Sequence, residues 1–215
     1  VSQAPDDAVL VHSVQEEYFY MMVHRCACGG AWLEKSQTVE EGGRQLRHRV
    51  EAECFKCKTQ RTFHFVMDAP PQGPKGSIRQ INSTAHPSRA LDVAEWMELA
   101  RFYLGRIERL KKSVERAQSL LDARQCLEEV LKFYPAGVQQ PPPEALWSDK
   151  SRQAVAARPE AFLRATIEEM LGKIPPMDRL READKMEQQE FQKALKVLAK
   201  NRVKWWQFWK FFGKP

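Results

Sequence analysis

Four of the five cysteines fall in two close pairs, Cys26-Ala27-Cys28 and Cys54-Phe55-Lys56-Cys57, with 25 residues between them and Gly29-Gly30 after the first. Thiolates at this spacing can converge on one tetrahedral zinc ion, with Zn–S bonds of about 2.3 Å. A site closed by four sulfurs has no position open to water or substrate. Its Zn2+ would be a structural cofactor, and the chemistry it predicts is cross-linking of the chain. Rival uses of the thiols fit less well. Neighbours in a Cys-x-Cys pair do not readily bridge each other, and a redox dithiol at Cys54–Cys57 would want a βαβ context that the sequence lacks. Burial as small apolar residues does not explain two close pairs flanked by strand patterns and a Gly-Gly. The first pair is one residue shorter than Cys-x-x-Cys. Positive φ at the two glycines would ease that turn and let backbone N–H groups approach the sulfurs. His24 is the substitute ligand if the turn is too tight, and His64 is disfavoured by its place in mid-strand. Cys126 lies on a helical pattern with Val130 and Phe133, as a buried structural cysteine would.

The elements that must position these ligands read as β structure over residues 18–67. Tyr18 to Val23 is an apolar and aromatic run predicted as a strand leading into the first pair. Ala31 to Val39 follows the glycines, and Glu40-Glu41-Gly42-Gly43 makes a turn. Gln45 to Cys54 sets Leu46, His48, Val50 and Ala52 against Arg47, Arg49, Glu51 and Glu53, the period of a half-buried strand. Thr62 to Val66 gives a fourth. Ala69 to Gly76 is a linker by composition, with three prolines and two glycines in eight residues. Beyond it the chain turns helical. Asp92-Val93-Ala94-Glu95 is a capping box opening a helix from about Val93 to Lys111, with Leu91 and Trp96 placed as a hydrophobic staple. A second helix is predicted from about Ser113 to Tyr134. A short one capped by Ser148 reaches Ala157, another runs from Glu160 to Leu171, and a last one runs from about Met177 toward Phe212.

The two cysteine knuckles joined by strands resemble the zinc-ribbon class over residues 18–67. That resemblance implies a small antiparallel sheet which gains much of its folding free energy from the metal. Trp96-x-x-Leu99-Ala100-x-x-Tyr103 resembles the first helix of a tetratricopeptide repeat, with Ala where that motif has Gly. Pro135, where such a repeat would close, falls about ten residues late.

Charge is unevenly spread. The net charge is +6, and residues 191–215 alone carry seven cations and no Asp or Glu, which leaves the first 190 residues at −1. From Tyr18 to Met67 eight cations face five anions. Arg44, Arg47 and Arg49 lead into the second pair, and Lys56, Lys58 and Arg61 follow it. They are candidate contacts for phosphate or for an acidic partner, against the plain alternative of a solvated strand face.

In the tail, three of the six tryptophans fall within five residues. On a helix, Trp205, Trp206, Phe208, Trp209 and Phe212 share one arc, with Lys204 and Lys210 outside it. Such a helix can lie in a membrane interface. Phe191, Leu198, Trp205 and Phe212 also recur every seven residues, as in a helix pair within the domain or between subunits. Tryptophan with lysine can also stack on single-stranded nucleic acid.

These readings predict an α+β protein: an extension (1–17), a zinc ribbon (18–68), a Pro/Gly linker (69–87), a helical domain (88–176) and a long basic, aromatic C-terminal helix (177–215), with about five helices after the ribbon. The expected function is a non-catalytic zinc-binding adaptor with a protein partner. Nucleic acid, a membrane surface and self-association through the 191–212 helix are the alternatives. No Ser/His/Asp set, phosphate loop or open metal motif nominates an enzyme. Thiols kept as ligands suit the cytosol, and the acidic start of the chain has no signal-peptide pattern.

Overall fold

In the computed structural model, residues 8–42, 45–68 and 81–176, with 179 and 189, are described. The elements in chain order are β1 (Val9–Val11), α1 (Val14–Val23), β2 (Trp32–Gly42), β3 (Gln45–Cys54), β4 (Gln60–Asp68), α2 (Val93–Arg106), α3 (Ser113–Lys132), α4 (Asp149–Ala157) and α5 (Arg164–Gly172). The fold is α+β. Among the described residues the strands form one sheet, in the order β1-β4-β3-β2. The pairs β2–β3 and β3–β4 are antiparallel, while β1 lies parallel to β4 with Leu10 opposite Val66, so the sheet is mixed rather than wholly antiparallel. A bulge interrupts the β2–β3 register between Glu34 and Ser36.

The main correction concerns Tyr18 to Val23, which is helical. Ser13 caps α1 by accepting the Glu16 N–H, and β1 precedes the cap. An aromatic run favours a strand only where it faces one sheet surface. Here the run is enclosed on two sides. Phe19 meets Trp96 and Tyr103 of α2, both with ring centroids 5.8 Å away, while Tyr20 meets Phe63 and Phe65 of β4 edge-on at 6.3 and 5.8 Å. A helix buried on both flanks shows no polar stripe, so its sequence lacks the helical period.

The alternation in β3 holds. His48, Val50, Ala52 and Cys54 are buried, and Val50 and His48 stand opposite Phe63 and Phe65 on the face that α1 covers. One hydrophobic cluster runs from these side chains through Phe19 to Trp96, Leu127, Phe162 and Ile167. The helices follow the caps read from the sequence. Asp92 and Glu95 form the capping box of α2, and Ser148 caps α4. The predicted helix from Glu160 is split: Pro159–Phe162 is a 3-10 turn, and α5 starts after Leu163 in extended backbone.

Residues 69–80 of the predicted linker lie outside the described residues. The segment that follows is fixed by side chains in place of secondary structure. Ile81 N–H donates to Gln125 (2.9 Å), and Asn82 Nδ2 and Ser88 N–H both donate to Glu129 Oε1 (2.9 and 2.6 Å). Lys132 donates to the Asn82 carbonyl at 3.0 Å. From the other side Ser13 Oγ donates to the Ile81 carbonyl, and Ser88 Oγ donates to Glu16. These bonds tie the start of α1 to α3. No helix among the described residues is long and apolar enough to cross a membrane.

Candidate metal centre

Helix α1 delivers the first pair of cysteines. Its last turn closes with His24 N–H on the Tyr20 carbonyl, and the Trp32 indole N–H donates to the His24 carbonyl at 2.8 Å. The segment between turns back on itself, with Gly29 N–H on the Cys26 carbonyl (2.7 Å) and Cys26 N–H on the Gly30 carbonyl (3.1 Å). Gly29 adopts φ +76°, in the left-handed region. Gly30 does not take positive φ, as the sequence reading had expected of both glycines; what it supplies is space. A Cβ there would sit 2.4 Å from Cys54 Sγ and 3.3 Å from Cys28 Sγ.

The second pair caps the β3–β4 hairpin. Cys54 N–H donates to the Thr59 carbonyl, and Lys58 N–H returns to the Cys54 carbonyl (2.8 and 3.0 Å). Lys58 itself takes φ 62° to make this turn. Phe55 N–H donates to the Ala31 carbonyl at 2.9 Å, which locks one knuckle to the other.

All four sulfurs then lie within 4.8 Å of one another. Cys26 Sγ is 3.5 Å from Cys57 Sγ, and Cys28 Sγ is 3.4 Å from Cys54 Sγ. A tetrahedron of sulfurs with metal bonds of about 2.3 Å has edges of about 3.8 Å. The cluster therefore fits one metal ion without rearrangement of the backbone. Hydrogen bonds to the thiolates favour their ionised form: contacts from Thr59 lower Cys57 to about 6, and the backbone N–H of Cys57 lowers Cys54. Cys28, whose thiol sits against Cys57, is pushed up to about 12. Metal-free thiols would thus share protons unevenly, and a cation would displace those that remain.

The other nominated ligands lie elsewhere. The His24 ring packs tilted against Tyr20, with centroids 4.1 Å apart, and its Nε2 is 3.5 Å from Glu95, while His64 stands opposite Arg49 on β4. Cys126 is fully buried in the core, as its helical spacing predicted.

The nominated cations do not share one face. Arg47 and Arg49 stand on the side of β3 away from α1, and Arg49 pairs with Glu51 at 2.7 Å. Arg61 is opposite Ala52, on the other face, with its guanidinium 4.6 Å over the Phe63 ring. Lys56 reaches the Cys28 carbonyl at 3.4 Å, and Lys58 pairs with Glu53 at 3.4 Å. Arg44 lies outside the described residues, as do Lys204, Trp205, Trp206, Phe208, Trp209, Lys210 and Phe212.

Beside the cluster is an open groove of about 410 Å³, with Arg25, Trp32, Cys57, Thr59, Gln60 and Arg61 in its walls. Sequence reasoning had singled out neither Trp32 nor Phe55. The signal available for Phe55 was an aromatic residue inside a knuckle, where no core can form around it; it is 67% exposed.

Fold and site together define an α+β protein with a four-cysteine cluster able to hold a metal ion. No protein-family model matches the sequence, no curated protein matches it, and no solved structure matches the fold.

Proposed function

We propose that Cys26, Cys28, Cys54 and Cys57 hold one structural zinc ion and that the protein is a non-catalytic cytosolic adaptor. It would engage macromolecular partners through its knuckle end and through the C-terminal segment. The carrying observation is the convergence of four sulfurs from two knuckles on a volume that Gly30 keeps clear. An all-sulfur tetrahedral set suits zinc, and four protein ligands leave no coordination position for a reaction. Bound there, zinc would supply a cross-link between the end of α1 and the β3–β4 hairpin.

Elemental analysis of protein purified without added metal tests this, on wild type and on Cys54→Ser/Cys57→Ser. One zinc per chain is expected, absent from the variant, together with loss of the sheet signal in circular dichroism. A wild type carrying no metal, with all four thiols titratable, would overturn the reading.

The tail sequence favours a second contact, with a membrane surface. Lysines beside a tryptophan-rich arc suit anionic headgroups. Co-sedimentation with phosphatidylserine vesicles, at least tenfold weaker in Trp205→Ala/Trp209→Ala, is expected; no wild-type binding would sink it.

A further inference from the structure

We infer that the cysteine-knuckle end of the molecule is a binding site for single-stranded nucleic acid, with phosphate held by Arg25 and Arg61 in the groove beside the cluster and a base stacked on Phe55, which is exposed on the second knuckle outside the groove's walls. The inference rests on the proposed metal centre, because both knuckles frame the groove. Residues 24–32 and 54–65 contain four cations, Arg25, Lys56, Lys58 and Arg61, and no Asp or Glu. A divalent ion with four thiolates has a net charge of about −2, so this end of the molecule keeps a positive balance even when loaded. Lys58 is partly neutralised by Glu53, whereas Arg25 and Arg61 make no ion pair among the described residues.

Both arginines are held in place without a carboxylate. Arg25 Nε donates to the Met22 carbonyl at 3.3 Å, and the Arg61 guanidinium carbon lies 4.6 Å from the Phe63 ring centroid. Two oriented guanidinium groups on one groove are preorganised for phosphate oxygens. The Trp32 ring stands edge-on to Phe63 at 5.6 Å and forms part of the same wall. Phe55, on the same knuckle as Cys57, exposes its ring with Lys58 Nζ 5.7 Å from the ring centroid.

An exposed aromatic face beside cations suits unstacked bases, which a duplex does not offer. An acidic peptide would use the arginines and leave the Phe55 ring idle, so the ring decides between the two. The groove volume is at the lower end of the range for compact ligands, suited to one nucleotide unit at a time.

The test is fluorescence anisotropy with the metal-loaded full chain and a labelled twelve-nucleotide oligo(dT), with a duplex of equal length and a polyglutamate peptide alongside. Three or four phosphate contacts predict a slope of log K on log salt of about −2 to −3, roughly a thirtyfold loss between 50 and 200 mM. Arg25→Ala/Arg61→Ala should keep its metal, bind at least tenfold more weakly and lose about 1.4 from the slope. Phe55→Ala should bind about tenfold more weakly with the slope unchanged. Any of three outcomes overturns the proposal: no oligo(dT) binding by metal-loaded wild type, duplex or polyglutamate bound as tightly, or binding lost in Trp205→Ala/Trp209→Ala but kept in the arginine variant. A wild type that binds oligo(dT) through Arg25 and Arg61 yet holds no metal would support this site while sinking the zinc reading.

Discussion

Gly30 makes the convergence of the four cysteines possible by what it lacks. A methyl there would meet Cys54 Sγ at 2.4 Å and Lys56 Cβ at 2.9 Å, so one of the sulfurs would have to move. Gly30→Ala should therefore weaken the hold on the proposed zinc, read as less than half the wild-type metal content after dialysis against a mild chelator. Gly29→Ala meets nothing within 4 Å and is penalised only by its φ of +76°. That costs about 1–2 kcal/mol of stability in denaturant unfolding, with zinc retained. The contrast separates space from backbone strain within one turn. At this scale the sequence was most readable, because four thiols at knuckle spacing have few other uses. The distinct jobs of the two glycines were not readable, since the room that Gly30 provides is set by Cys54, twenty-four residues on. Nor could Thr59 be singled out, because its effect on Cys57 depends on a turn held by Lys58 in a left-handed conformation that a lysine does not advertise.

Among the elements, β3 and the helix caps were legible because their signals are local. Asp92 sits three residues before Glu95, and the alternation of β3 answers to one covered face. Helix α1 was not legible by period. Its aromatic residues serve two neighbours at once, and the one local sign was Ser13 three residues before Glu16, the capping pattern. Strand β1 is three residues long and finds its partner β4 more than fifty residues away, beyond any local pattern. The segment after residue 80 reads as linker by composition, yet Glu129 holds it by accepting from Asn82 and Ser88 and pairing with Lys132 at 2.7 Å. Glu129→Ala would leave the buried Ser88 N–H without an acceptor and Asn82 Nδ2 with only the His86 carbonyl. The expected loss is about 3 kcal/mol in urea unfolding, against about 0.5 kcal/mol for the exposed Glu168→Ala. Equal effects of the two would show that the segment is not clamped.

For the molecule as a whole, buried carboxyl groups set the response to pH. Burial, reinforced by Glu34, pushes Glu17 up to about 8, and its Oε1 lies 2.8 Å from His48 Nδ1, which burial keeps neutral. Between the ordinary value of 4.5 and about 8 the folded chain keeps a proton that the unfolded chain releases. Stability from this group therefore falls as pH rises through that window and levels off above it. From pH 6.5 to 8 the loss is about 2 kcal/mol at about 1.4 kcal/mol per unit. Glu95, raised to about 7 by burial, adds a smaller fall of the same sign. Binding of the proposed zinc would run the other way, since alkaline pH favours the thiolates. Glu17→Gln removes the first effect and leaves the second, so its melting temperature should rise with pH relative to wild type. A constant difference between the two proteins across that range would refute the assignment.

The outer rim of β2 has a consequence for the protein in a crowded solution. Eleven residues long and last in the sheet order, the strand has a row of backbone donors and acceptors with no partner strand among the described residues. Leu33 and Val39 are exposed along it. A rim of this kind templates any extended chain that meets it, a second copy included. Here the bulge at Glu34/Ser36 breaks the flat ladder, and Glu34, Lys35 and Glu40 set charge along the same stretch. The strand that begins beside the cysteine cluster is thus where molecules would first adhere to one another, and its charges and its kink are what keep them apart.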